Sequence, residues 1–320
     1  MKIRNIAVIC LVLLAAAAFS CKKDKKVETK PSLSGVFFQT PAYMRIGQVE
    51  NVVTAEVVHP EGKEVGYYWQ LDSGKKDTVK TETMTGKVDI SYNVSFSTTG
   101  THSVVCGAFA DGYYSDVYTT TIEVIDPAIG QYVSGTGVED GLASITDSRD
   151  SKENVYFYKR IGSLDWMCNN LAYTGAGVPY MDCEVTSYPI GRYYTWEEAA
   201  SACPSGWRLP TYTEWAALGR DAGNLMADAY ISGSRMWEFW PDVKITNSTG
   251  IAAIPSGYCL VGSSRNVFQG FGDYAAFWTA DENASNTNQA HYVFIHEKDT
   301  EVQKGSGDKA SFALTLRCVR

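Results

Sequence analysis

The chain has 320 residues, 45 % apolar and 20 % charged, the balance of a globular protein rather than a disordered or fibrous one. That length predicts two domains. The formal net charge is −8, and no basic tract interleaves with aromatics, which argues against nucleic acid as a partner.

The N-terminus opens with the positive segment "MKIRN", followed by "IAVICLVLLAAAAF". This apolar run is too short for a comfortable transmembrane helix and has the length of a signal-peptide core. It ends in "AFSC", which resembles a bacterial lipobox, although Ala18 stands where leucine is commoner and Phe19 is bulky. The resemblance implies a lipoprotein signal peptide over 1–20, lipidation of Cys21 and a membrane partner reached through the lipid anchor. Residues 21–32, with "KKDKKVETKPS", lack apolar periodicity and read as a disordered tether. Lys22 after the cysteine resembles the sorting signal of outer-membrane lipoproteins in Gram-negative bacteria. "CKKDK" is a partial match to the surface-exposure pattern of Bacteroidetes-like lipoproteins.

Residues 33–126 read as short strands separated by the turns "PEGK", "DSGKKD", "STTG" and "ADG". "NVVTAEVVH" alternates, which predicts Val53, Ala55 and Val57 on one face. "VGYYWQL" places Tyr67, Trp69 and Leu71 together, and "YTTTIEVI" turns Ile122 and Val124 inward. The pattern predicts an all-β sandwich with Trp69 in its core and Cys106 as a buried free thiol. "YYWQLDSGKKD" and "FSTTGTHSVVCGAFADGYYSDVYTTTIEVID" resemble the PKD-type Ig-like domain. His102 stands where that family has tyrosine, and "LDSG" where it has an acidic turn. The resemblance implies a spacer or contact module.

Pro127 ends the last of these strands, and "AIGQYVSGTGVEDGLAS" opens a second unit over 127–320. It begins with β-like runs, "NVYFYKRIG", "LDWMCNNLAY" and "RYYTW". Two Thr-x-x-Glu capping boxes follow, Thr195 with Glu198 and Thr211 with Glu214, and each predicts a helix start. Pro210 marks the extended residue before the second. Helices gathered between strands predict an α+β domain and disfavour a parallel Rossmann sheet. "IGRYYTWEEAASACPSGWRLPTYTEW", "GIAAIPSGY", "FQGFGDYAAFWTADE" and "ALTLRCVR" together resemble the Fibrobacter succinogenes major paralogous domain over about 145–320. More distantly, the "WEEAASAC" helix and the terminal "RCV" resemble the C-type-lectin-like fold.

With Cys10 removed and Cys21 lipidated, cysteines 106, 168, 183, 203, 259 and 318 remain in an oxidising compartment, and the residues alone do not choose among their pairings. The lectin-like resemblance implies that Cys203 on the first helix pairs with Cys318 on the last strand. The loop-entropy model gives such a long closure about 4–5 kcal/mol. Cys203 then braces the fold rather than acting as a nucleophile. Cys168 and Cys183 are candidates for a second, local bridge, and Cys259 is left without a partner.

Chemistry is thin elsewhere. The chain has no Gly-x-Ser-x-Gly elbow, His-Glu-x-x-His, Cys-x-x-Cys or phosphate loop, and no cofactor motif. "RLPTYTEW" resembles a segment of the sulfatase-modifying enzymes, but the reactive cysteine pair of that family is missing near the C-terminus, where only Cys318 stands. His291 and His296 have an odd spacing that puts them on opposite faces of a strand. The binding candidates are Trp237, Phe239 and Trp240, whose flat faces suit sugar rings or partner surfaces, or else close the core under a loop. Asp281, Glu282 and Asn283 carry oxygens of the kind calcium takes, without the paired motifs of calcium-dependent lectins, and read better as a solvated loop. The expectation is a non-enzymatic outer-membrane lipoprotein that binds a glycan or protein through its C-terminal domain. The alternatives are a structural surface component and an enzyme on the sulfatase-modifying scaffold.

Overall fold

The computed structural model describes residues 30–80, 90–126, 142–237 and 242–320. The signal segment with Cys21, most of the tether, the 127–141 linker, Phe239 and Trp240 lie outside these residues. The described chain is mostly β-sheet with a few short helices.

The N-terminal unit contains β1 (Tyr43–Arg45), β2 (Glu50–Val53), β3 (Gly66–Leu71), β4 (Asp77–Lys80), β5 (Ser91–Val94), β6 (Gly100–Phe109) and β7 (Asp116–Ile125). A five-stranded sheet runs β1-β7-β6-β3-β4, with β1 parallel to β7, and β2 pairs with β5 separately. Alternation sends Tyr67, Trp69, Val104, Cys106, Ile122 and Val124 inward, against Val52 and Val94 from the smaller pair. Each large apolar side chain so buried contributes about 1.5–3 kcal/mol. Trp69 stands directly opposite Cys106, whose thiol is free, and burial pushes that thiol up to about 11. The predicted phase around Val53 is wrong. Val53 is 46 % exposed, while Val52 and Thr54 face inward. The strand stops at Val53, and the Thr54 hydroxyl bonds the Phe37 carbonyl at 3.3 Å, so the alternation does not run on to Val57 unbroken.

The C-terminal unit begins with a meander of β8 (Ala143–Asp147), β9 (Asn154–Ile161) and β10 (Leu164–Met167). Next come β11 (Val178–Pro179), α1 (Ser187–Ile190), β12 (Arg192–Thr195), α2 (Trp196–Ala202), α3 (Tyr212–Ala216), β13 (Tyr230–Ile231) and β14 (Ser234–Arg235). The last strands are β15 (Tyr258–Leu260), β16 (Val267–Gln269), β17 (Tyr274–Glu282), β18 (Gln289–His296), β19 (Gln303–Asp308) and β20 (Phe312–Leu314). One sheet runs β11-β12-β20-β15-β16 and another β17-β18-β19. Parallel bridges Gly257–Ala275 and Phe277–Thr315 join the two.

Both capping boxes form as their spacing predicts. Thr195 and Glu198 cap α2, and Thr211 and Glu214 cap α3, each reciprocally. Arg208 reinforces the second box, its guanidinium donating to both Glu214 oxygens at 2.6 and 2.9 Å. That ion pair, first among the causes, holds the Glu214 carboxyl down at about 2. The helices have only seven and five residues, so the unit is more β-rich than a balanced α+β domain. Cys203 follows α2 and is bonded to Cys318, 115 residues away. This bond staples the helix layer to the end of the chain.

Candidate functional site: an aromatic groove

The two C-terminal sheets meet at a groove of about 490 Å³. β17 and β18 are antiparallel neighbours, so residues of like phase share a face. On that face β17 carries Tyr274, Ala276 and Trp278, and β18 carries Tyr292 and Phe294, with Ala276 opposite Phe294 and Trp278 opposite Tyr292. β15 adds Tyr258 and β20 adds Phe312. The rings of Tyr258, Phe312, Tyr292, Phe294 and Tyr274 form a closed circuit, with successive centroids 5.2, 5.4, 5.8, 6.1 and 6.3 Å apart. All five are half-buried, and the small, buried Ala276 leaves the space between them open.

Glycines make room for three of these rings. Gly305 on β19 stands opposite Tyr292, and a Cβ there would enter the Tyr292 ring. A Cβ on Gly307 would enter Phe312, and one on Gly270 would press on Tyr274 at 2.7 Å. Three rings therefore lie directly on backbone. Below them the buried Trp278 meets Tyr292 and Phe312 edge-on, at 5.9 and 5.8 Å, and its indole donates to the Tyr194 carbonyl at 2.8 Å. Leu260 and the polar residues Gln269, Gln289, Ser306, Asp308 and Ser311 also line it. Fixed rings beside amides, hydroxyls and one carboxylate suit a ligand with a flat apolar face and a polar edge.

A larger cleft, about 610 Å³, lies between the two units and includes Arg45, Lys152 and Glu184. Its Glu184 is taken up by Lys152 at 2.9 Å and by Arg192 at 2.8 Å, and Tyr188 is the one aromatic residue among its described lining. The aromatic groove is therefore the better candidate site.

The residues expected from the sequence fare unevenly. Trp237 is 1 % exposed and packs with Trp166, Trp215 and Phe277, so it closes the core and offers no face to a ligand. Phe239 and Trp240 lie outside the described residues. Asp281, Glu282 and Asn283 turn to separate partners. Asp281 accepts from the Tyr212 amide at 2.6 Å, Glu282 pairs with Lys309 at 3.1 Å, and Asn283 accepts from the Ser285 amide at 3.0 Å. Cys168 and Cys183 are not bonded, contrary to the suggested local bridge. The reason is that Cys168 sits in a packet with Ala227, Ala229 and Met236, while Cys183 turns towards the backbone of Ala42 and Tyr43. Cys259 is buried against Tyr193 and Ala313, and burial pushes its thiol up to about 12.

The groove residues escaped sequence reasoning. The available signal was local: aromatics at alternate positions in "HYVFIH", and the alternate glycines of "KGSGD" on the next strand. A family model described as the Fibrobacter succinogenes major domain matches residues 160–320. Among curated proteins, none matches the chain.

Proposed function

The chain belongs to the Fibrobacter succinogenes major domain family, whose model spans half of it, and we propose that it is a non-enzymatic cell-envelope lipoprotein that binds a glycan through that domain. In this reading residues 1–20 are the signal peptide, Cys21 carries the lipid, and 21–32 are the tether. Residues 33–126 form a PKD-type, Ig-like spacer. Residues 127–320 form a C-type-lectin-like binding domain at the outer membrane.

Several observations support the parts. The Ig-like reading rests on the shared core of two sheets, with Trp69 facing Cys106. The lectin-like reading rests on the Cys203–Cys318 bond between the first capped helix and the chain end. The binding domain includes residues before 160, because β8 and β9 pair with β10 in one meander. Against catalysis stands the state of the sulfurs: Cys318 is bonded, and burial raises the other thiols in the described residues, which disfavours the thiolate a nucleophile needs.

The circuit of five rings carries the functional reading. Aromatic faces held rigid on glycine lose little entropy when a sugar ring stacks on them. A glycan array probed with the purified protein tests it. Saturable binding to a defined set of glycans is expected, and a blank array at high protein concentration refutes the reading. For the anchor, a fatty-acid analogue fed to cells should label the wild type and skip Cys21→Ser.

A further inference from the structure

The charge distribution around the groove narrows the ligand class, resting on the reading of the groove as a glycan site. We infer that the groove accepts uncharged saccharides and turns away those bearing a carboxylate. The lining contains one formal charge, Asp308, and no lysine, arginine or histidine. The lysines nearest in sequence are engaged outside the groove. Lys309 pairs with Glu282 at 3.1 Å and lies 4.7 Å over the Trp196 ring. Lys304 lies 4.3 Å over Tyr212. Two histidines stand at the margin of the groove: the His291 Nδ1 is 2.9 Å from the hydroxyl of the lining residue Ser306, and the His296 ring lies 4.6 Å from Tyr274.

Asp308 is held as an anion. Its Oδ1 accepts from the Ser311 hydroxyl at 2.8 Å, the Ser311 amide at 2.9 Å and the Ala310 amide at 3.1 Å. Those hydrogen bonds, the Ser311 hydroxyl first, keep its carboxyl below the usual carboxylate range. A second carboxylate brought into the groove meets this charge with no lysine or arginine among the described lining residues to offset the repulsion.

The amides on the rim are oriented as donors. The Tyr258 hydroxyl donates to Gln269 Oε1 at 2.8 Å, and the Asn283 amide donates to Gln289 Oε1 at 3.2 Å. Each bond takes one lone pair of a carbonyl oxygen and leaves the NH₂ end to donate. Two donors and one anionic acceptor match sugar hydroxyls, which accept and donate in turn.

The test titrates the full-length protein with neutral galactose and glucose trisaccharides and with the galacturonate trimer, at low and high salt. The best neutral trisaccharide should bind at least about tenfold more tightly than the uronate at low salt, and the gap should shrink as salt screens the charge. Asp308→Asn retains an oxygen for the Ser311 and Ala310 donors and should narrow the gap, chiefly by improving uronate binding. Gln269→Glu, which adds a negative charge on the opposite rim, should widen it; this second variant keeps the inference testable if the first folds poorly. Equal or preferential uronate binding by the wild type overturns the inference while leaving the glycan reading in place. A gap unmoved by salt and by both variants also overturns it. Failure of every saccharide to bind overturns the inference and the reading beneath it together.

Discussion

Both halves of the chain lay aromatic rings on glycines, with different results. In the N-terminal sheet, Tyr68 lies over Gly107 and Phe109 over Gly66, across the paired strands β3 and β6. There the Lys76 ammonium covers the Tyr68 ring at 4.0 Å. In the C-terminal unit, Tyr292 on Gly305 and Phe312 on Gly307 meet three further rings, because a second sheet arrives beside them. The local device is the same. Only where two sheets converge does it produce a cavity, so a ring on a glycine becomes part of a groove through its neighbours.

The largest expected contrast between the halves is in stability. The disulfide lies wholly in the C-terminal unit, across 115 residues. Cys203→Ser should cost that unit about 4–5 kcal/mol by loop entropy, and less where native strain offsets it. Cys318→Ser should cost as much, and the double variant little more, because the bond is lost once. The N-terminal transition in a calorimetric scan should stay in place; a matching drop there would show that the two units unfold as one.

A smaller effect separates the two glycine seats. Gly305→Ala drives a methyl into the Tyr292 ring and should weaken glycan binding about tenfold, near 1.4 kcal/mol. Gly107→Ala makes the same collision with Tyr68, so it should lower stability and leave affinity unchanged. Paired titrations and melts check both. Loss of affinity in Gly107→Ala would erase the distinction drawn between the halves.

The smallest effect is a pH response at Glu214 in the C-terminal unit. Glu214 is held near 2 in the folded chain against an ordinary 4.5. Its folded pKa is depressed, so its contribution is complete above about 4.5 and is lost as pH falls towards 2. The pair is partly exposed, so that contribution should stay under about 1 kcal/mol. Glu214→Gln should be less stable at neutral pH and show a flatter acid limb in this window. An unchanged acid limb would assign the response to other carboxylates.

What the sequence revealed follows the range of the interactions involved. The capping boxes at Thr195 and Thr211 were legible because each is complete within four residues. Tyr67 and Trp69 were legible because strand alternation persists through β3. The Cys203–Cys318 pairing came from family resemblance, since spacing alone leaves many pairings open. Trp237 was misleading because an aromatic cluster in a loop-like segment has the same local pattern whether it faces solvent or core. The groove was hidden because its rings come from β15, β17, β18 and β20, and nothing local to any of them indicates that the two sheets meet there.

The central claim is that the C-terminal ring circuit binds the ligand and the N-terminal rings do not. Isothermal titration of the strongest array glycan into wild type, Tyr292→Ala and Tyr68→Ala tests it most directly. Tyr292→Ala should bind at least about tenfold more weakly, a loss near 1.4 kcal/mol, with Tyr68→Ala matching the wild type. Wild-type affinity in a folded Tyr292→Ala protein, or a comparable loss in Tyr68→Ala, would contradict the account.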